Sequence, residues 1–154
     1  MIIVRPYSFS DIEALTELMT DLGTPSSIED MKKRMEIIDA TPGYFTFVAS
    51  KDDIVVGMIG IRIQQSYVSN DLKTQIAALV TKKQYQGQGV GKALIKHVEA
   101  WIQEKGFNAL YLTSAIKEER LDAHEFYKKL GYEINGYRFV KKIDKGIEGN
   151  SRRQ

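Results

Sequence analysis

The chain has 154 residues, 43% of them hydrophobic, with 22 lysine and arginine residues against 20 aspartate and glutamate residues for a net charge of +2. That length suits one domain, which buries about 68–70% of the surface of its unfolded chain and needs no covalent staple. The absence of cysteine excludes disulfides, metal thiolates and a thiol nucleophile, and the balanced charge argues against a nucleic-acid partner.

The opening MIIVRPYSF has no long apolar segment of the kind that directs secretion. The longest apolar run, Ile54 to Ile61, falls far short of the ~18 residues that a membrane span requires. The expectation is a soluble, cytoplasmic protein without a membrane partner.

Residues 2 to 5 read as a first strand, closed by Pro6. Ser8 and Asp11 form a capping pair for a helix with Ile12, Leu15, Leu18, Met19 and Leu22 as its buried stripe, stopped at Gly23. After the break Thr24-Pro25-Ser26-Ser27, either Ser26 with Glu29 or Ser27 with Asp30 opens a second helix carrying Ile28, Met31, Met35 and Ile38. A turn at Thr41-Pro42-Gly43 leads into two antiparallel strands, Tyr44 to Ser50 and Ile54 to Ile63. Gly57 and Gly60 in the second strand fit a bulge, a close backbone approach or plain sheet twist. Residues 66 to 74 read as a polar connection.

Residues 76 to 106 organise the chain. Ile76 to Val80 is an unbroken apolar run, the pattern of a central strand covered on both faces. Val90, Leu94, Val98, Trp101 and Ile102 recur at helical spacing until Gly106, a helix of about four turns. Between them Gly87, Gly89 and Gly91 let the backbone curl so that several N–H groups converge, and the first helical turn adds unpaired donors. Such a nest binds an anion, with phosphate or pyrophosphate the natural ligand.

Two familiar phosphate fingerprints fail here. A P-loop ending at Gly91-Lys92 needs glycine at 86 and Ser or Thr at 93, where the chain has Gln86 and Ala93. A dinucleotide loop starting at Gly87 needs a small residue at 92, where the chain has a lysine. Gln86, Gly89 and Gly91 instead fit Gln-x-x-Gly-x-Gly after the strand Leu79-Val80-Thr81. At these residues the chain resembles the GNAT superfamily of acyl-CoA-dependent N-acyltransferases.

After the central helix, Ala109 to Thr113 reads as a buried strand, and residues 114 to 119 as a polar loop. A last helix from Leu121 to Leu130 carries Ala123, Phe126, Tyr127 and Leu130 on one face and stops at Gly131. Its segment AHEFYKKLGYE is similar to the A-x-x-FY-x-x-x-G-[FY] element of many GNATs. LGTPSSIEDMKKRM, earlier in the chain, is similar to a pattern in the branch that includes aminoglycoside and aminoalkylphosphonate acetyltransferases. Tyr132 to Asn135 and Arg138 to Ile143 read as a terminal hairpin through Gly136, and residues 144 to 154 as a frayed tail.

The resemblance implies one mixed α and β (α+β) domain over residues 1 to 143, a twisted mixed sheet of roughly six or seven strands flanked by about four helices. It implies acetyl-CoA as co-substrate, with no metal. Gln86, Gly87, Gln88, Gly89, Val90, Gly91 and Lys92 would cradle its pyrophosphate. Leu79, Val80 and Thr81 would line its pantetheine arm, with a backbone N–H near Val80 facing the thioester carbonyl. Tyr127 holds the position of the family's general-acid tyrosine. Lys82, Lys83, Lys92 and Lys96 lie near the expected phosphates, as aids to binding or as solvated charges.

The chain departs from the family at two places. Members often carry a carboxylate base on the central strand, where this chain offers Gln75 and Ala77, and Arg120 stands where many carry asparagine. Glu29, Asp30, Asp71, Glu118 and Glu119 remain open as bases, and none is assigned. The two histidines, His97 and His124, lack metal-ligand spacing; His97 reads as exposed, and His124 as a residue of the acceptor cleft. The favoured acceptor is a primary amine of a small molecule, with a protein amine or a non-catalytic acyl-CoA-binding module as alternatives. A homodimer is expected by resemblance.

Overall fold

The computed structural model describes residues 1–107, 109–113 and 121–143. They fall into two compact units, Met1–Leu112 and the part of the chain that begins at Thr113. The expected tail and the positions of Glu118, Glu119 and Arg120 lie outside the described residues.

The first unit holds a five-stranded sheet in the order β1 to β5: β1 Ile2–Pro6, β2 Tyr44–Lys51, β3 Ile54–Gln65, β4 Leu72–Thr81 and β5 Leu110–Tyr111. β1 to β4 form an antiparallel meander, and β5 runs parallel to β4. Helices α1 (Ile12–Leu22) and α2 (Ile28–Ala40) lie between β1 and β2 in the chain, and α3 (Val90–Glu104) links β4 to β5. The long linked run needed to turn a strand parallel to its neighbour is thus α3.

Each helix begins where its sequence dictates. Ser8 N–H donates to Asp11 Oδ2 at 2.9 Å, and Asp11 opens α1 after one 3-10 turn. Of the two possible caps for α2, Ser27 is used, its Oγ accepting from Asp30 N–H at 3.1 Å. Gly23 ends α1 in the left-handed conformation, at φ 97°, where a Cβ would be disfavoured.

Two apolar layers sandwich the sheet. On one face α1 and α2 bury Ile12, Leu15, Leu18, Met31 and Met35 against Val48, Met58 and Val80. On the other, Val90, Leu94, Ile95, Val98 and Ile102 of α3 are buried, over the strand positions that alternate with the first set, including Ile59 and Ile61. Each such side chain contributes about 1.5–3 kcal/mol by leaving water. His97, expected to be exposed, is half-buried with its ring edge-on to Phe47 at 4.9 Å.

Both strand glycines are explained by the sheet. The β3–β4 register slips between Gly60 and Ile61, where Ala77 has no partner between Ile76 and Ala78. Gly57 is a close approach, described below. β4 also starts at Leu72, within what the sequence marks as a polar connection, because its ladder to Gln64 and Gln65 of β3 is made by backbone groups whatever the side chains.

The second unit contains helix α4, Leu121–Lys129, closed by Gly131 at φ 94°. The terminal hairpin expected over residues 132 to 143 is not formed as strand, so among the described residues the sheet has five strands and not six or seven. Ile134, Tyr137, Phe139, Val140 and Ile143 are exposed, and an isolated two-stranded hairpin is marginally stable in water. β5 is likewise shorter than expected, with Tyr111 exposed and Leu110 half-buried.

Candidate active site

The site is built around the outer edge of β4. Pairing with β5 is confined to Thr74 and Gln75, opposite Leu110 and Tyr111. From Ile76 to Thr81 that edge has no paired strand among the described residues. On the inner edge, Lys82 N–H donates to the Val56 carbonyl at 2.7 Å. The alternation of an antiparallel ladder then turns Val80 toward β3 and leaves the N–H groups of Leu79 and Thr81 on the open side. Of the donors near Val80, those two face the opening.

Past Thr81 the chain makes a 3-10 turn, Lys83–Tyr85, and enters the glycine loop. Gly87 and Gly89 have φ of 80° and 88°, with open space where a Cβ would stand. Glycine is therefore required there by backbone conformation and not by crowding. Gly91 is the second residue of α3. Gly89 is the N-cap of α3, and no side chain caps that end. The first-turn N–H groups of Val90, Gly91 and Lys92 precede the first helical bond, from Ala93 N–H to the Gly89 carbonyl at 3.0 Å.

One residue holds the two halves together. A Cβ at Gly57 would lie 2.7 Å from Val90 Cγ1, 3.0 Å from the Val80 carbonyl oxygen and 3.2 Å from Leu94 Cδ1. The start of α3 is therefore seated directly on β3, beside the end of β4. Further ties fix the loop from outside: Lys51 Nζ donates to Gln88 Oε1 at 2.7 Å, and Lys83 N–H to Asp21 Oδ1 at 3.3 Å. Lys82 is paired with Glu17 of α1 and Lys96 with Glu99, each at 3.3 Å, so these two lysines have carboxylate partners within the protein. Lys92 is exposed beside the loop.

Tyr127 lies on α4, half-buried, its ring edge-on to Phe126 at 5.4 Å and to Tyr132 at 6.1 Å. Its carbonyl accepts from Leu130 N–H and Tyr132 N–H, closing the helix. His124 is half-buried on the same helix. Glu29, Asp30 and Asp71 are exposed. Among the described residues no group of three potential ligands has the arrangement of a metal site, and no helix is long and apolar enough to cross a membrane.

Residues 12–132 match the model of the acetyltransferase (GNAT) family. The chain belongs to that family. Among relatives of this GNAT chain, the aminoglycoside N(6')-acetyltransferase type 1 of Stenotrophomonas maltophilia is 24% identical, over 84% of this chain and 85% of its own length. The aminoalkylphosphonate N-acetyltransferase of Salmonella typhimurium is 31% identical, over 62% of this chain and 61% of its own length. A solved GNAT family acetyltransferase of Staphylococcus aureus superposes with a TM-score of 0.79 at 28% identity, covering 92% of this chain and 98% of that one.

Two features of this GNAT chain were not legible as site residues in the sequence. Arg62 of β3 lies half-buried opposite Gln75 of β4 and donates to its Oε1 at 2.7 Å. Tyr44 of β2 pairs with Arg62 across the other ladder. Hydrogen bonding to Tyr44 foremost, and then to Tyr111, holds the Arg62 guanidinium above the ordinary arginine pKa against the opposing effect of burial. Tyr7, packed against the α1/α2 core, has a buried hydroxyl without a hydrogen-bond partner. Burial first, and then the charges of Asp39 and Asp11, push its pKa up. For Arg62 the only signal was an arginine within a strand, which register alone converts into a cluster; Tyr7, just past the end of β1, carried none.

Proposed function

We propose that this chain transfers an acetyl group from acetyl-CoA to a primary amine of a small molecule, by direct attack of the amine in a ternary complex. The observation that carries this is the open β4 edge leading straight into a left-handed glycine loop and an α3 N-terminus that no side chain caps. The loop from Gln86 to Lys92 offers converging N–H groups to a pyrophosphate. The edge at Leu79, Val80 and Thr81 offers a strand-like partner to an extended amide-bearing arm, and the outward N–H groups of Leu79 and Thr81 stand ready for a thioester carbonyl. Acetyl-CoA supplies the activated acyl group.

The amine must be uncharged to attack. For an alkylamine of pKa ~10.4, removal of its proton at pH 7 costs about 4.6 kcal/mol, at 1.36 kcal/mol per unit. No carboxylate stands on β4 to take that proton, since Gln75 is an amide and Ala77 is apolar. A water chain or solvent is the proposed route. Tyr127 is the proposed donor to the departing sulfur. A phenol of pKa ~10 facing a thiol of ~8.5 makes full proton transfer uphill by about 2 kcal/mol in water, so a hydrogen bond to the thiolate suffices as its role.

The test is acetyl-CoA-dependent thiol release across aminoglycosides, aminoalkylphosphonates, polyamines, amino acids and lysine peptides. Release with a small amine, and a large loss of turnover in Tyr127→Phe with CoA binding retained, is the expected result. Lack of any rise in melting temperature with CoA would overturn the reading at its root. Release with lysine peptides alone would move the acceptor to protein amines.

A further inference from the structure

The face of the sheet that α1 and α2 cover carries, beyond the apolar positions Met58 and Val80, a polar cluster. Strand alternation and register place Tyr44, Arg62, Gln64, Gln75 and Tyr111 on this one face, from four adjacent strands. The cluster is built and not incidental. Arg62 donates to Gln75 Oε1, and Tyr111 Oη donates to Gln64 Oε1, each at 2.7 Å.

The cluster does not satisfy all the donors of Arg62. Among the described residues no carboxylate pairs with Arg62. Its Nε is buried and has no hydrogen-bond partner. A half-buried guanidinium with a neutral amide oxygen as acceptor and no carboxylate among the described residues is incompletely compensated. Both glutamines use their oxygen within the cluster, which leaves their NH2 groups as donors, beside a guanidinium that has five N–H donors and no acceptor. Such an array of donors fits an oxyanion, which arginine holds in a two-bond fork.

We propose that Arg62, held by its hydrogen bond to Gln75, is the recognition residue for an acid group on the acceptor, so that the substrate is a primary amine bearing a carboxylate, phosphonate or phosphate. This rests on the acetyl-transfer reading above. Gln75 lies four residues before Leu79 on β4, whose outward N–H is offered to the thioester carbonyl, roughly 13 Å along the strand at ~3.3 Å per residue. The acid group and the amine are therefore separated by a chain of several atoms, with part of the gap covered by the reach of Arg62.

The experiment compares matched primary amines of increasing chain length in acetyl-CoA-dependent thiol release. In each set one member ends in a phosphonate, one in a carboxylate and one in an uncharged hydroxyl. The acidic members are expected to have KM values lower by roughly 10- to 100-fold, the range of a hydrogen bond to a charged group. Arg62→Gln collapses that ratio toward one, and Arg62→Lys restores part of it. Whichever acid shows the larger ratio identifies the anion. Melting temperatures of the variants check that they are folded, and Tyr44→Phe, which leaves the guanidinium in place, is expected to lower the ratio less than Arg62→Gln.

Equal KM values within a set, a preference for polycationic amines, or a ratio that survives in Arg62→Gln would overturn the proposal and leave acetyl transfer standing. If no amine turns over, calorimetric binding of 3-aminopropylphosphonate to the CoA-loaded protein decides. Binding that Arg62→Gln abolishes supports an acid-reading site, and no binding overturns it. Failure of CoA itself to bind marks the separate failure of the acetyl-transfer reading.

Discussion

Gly57 on β3 and Val90 at the start of α3 are in such close contact that a single added methyl at Gly57 would stand 2.7 Å from Val90 Cγ1. The glycine that a strand normally avoids is here the seat of the helix whose N-terminus closes the proposed coenzyme loop. Gly57→Ala must push α3 outward, because the Val80 carbonyl on the other side is backbone and lies only 3.0 Å from the same point. Overpacking of this kind costs about 1–3 kcal/mol. A lower melting temperature together with weaker CoA binding is expected; an alanine variant indistinguishable from the parent in both would show that α3 is not held there.

Gly89 makes a different demand. Its φ of 88° is left-handed, yet a Cβ would meet nothing within 4 Å. Gly89→Ala is expected to lose about 1–2 kcal/mol through backbone conformation alone, while Gly89→Asn, a residue that tolerates this region, recovers part of the loss. Titration of CoA against the three proteins reads the order Gly, then Asn, then Ala in affinity. Equal affinities would show that the loop does not need this conformation to bind.

The acid stability of the fold should rest partly on Asp11. Its two carboxylate oxygens each accept from Arg5 at 2.8 Å, and Asp11 is buried while Arg5 is partly exposed. The hydrogen bonds from Arg5 foremost, with those from Ser8, hold its pKa below the ordinary value despite burial. Because the folded-state pKa is lowered, the unfolded chain binds more protons below pH ~4. The contribution is thus present above that pH and lost as pH falls toward the folded pKa. Asp11→Asn is expected to lower stability at pH 7 by about 1.5–3 kcal/mol and to flatten the decline between pH 4 and lower values. An unchanged acid transition in urea unfolding would contradict this.

Thr74 offers the opposite sign. It is fully buried on β4, and its Oγ1 has no hydrogen-bond partner. Replacing a buried unsatisfied hydroxyl by a methyl of the same shape removes a desolvation cost of about 1–3 kcal/mol. Thr74→Val is expected to raise the melting temperature or leave it unchanged, with the β4–β5 pairing intact; a clear drop would mean that the hydroxyl has a partner in solution.

What the sequence determined by itself is what depends on neighbours along the chain. Helical period placed α1, α2, α3 and α4; Ser8 with Asp11 and Ser27 with Asp30 mark the starts of α1 and α2, and left-handed glycines the stops of α1, α3 and α4. The curl of the glycine loop was readable because positive φ at Gly87 and Gly89 is a property of single residues. Tertiary structure decided what depends on register and coverage. The slip at Gly60, the short reach of β5 and the absence of strand over residues 132 to 143 follow from which backbone finds a partner, and no local pattern encodes that. Arg62, Gln75 and Tyr111 lie far apart in the chain and became one cluster only when three strands came into line. Hydrogen bonds between side chains act over about 3 Å in space and not along the sequence, so this cluster was decided by the fold alone.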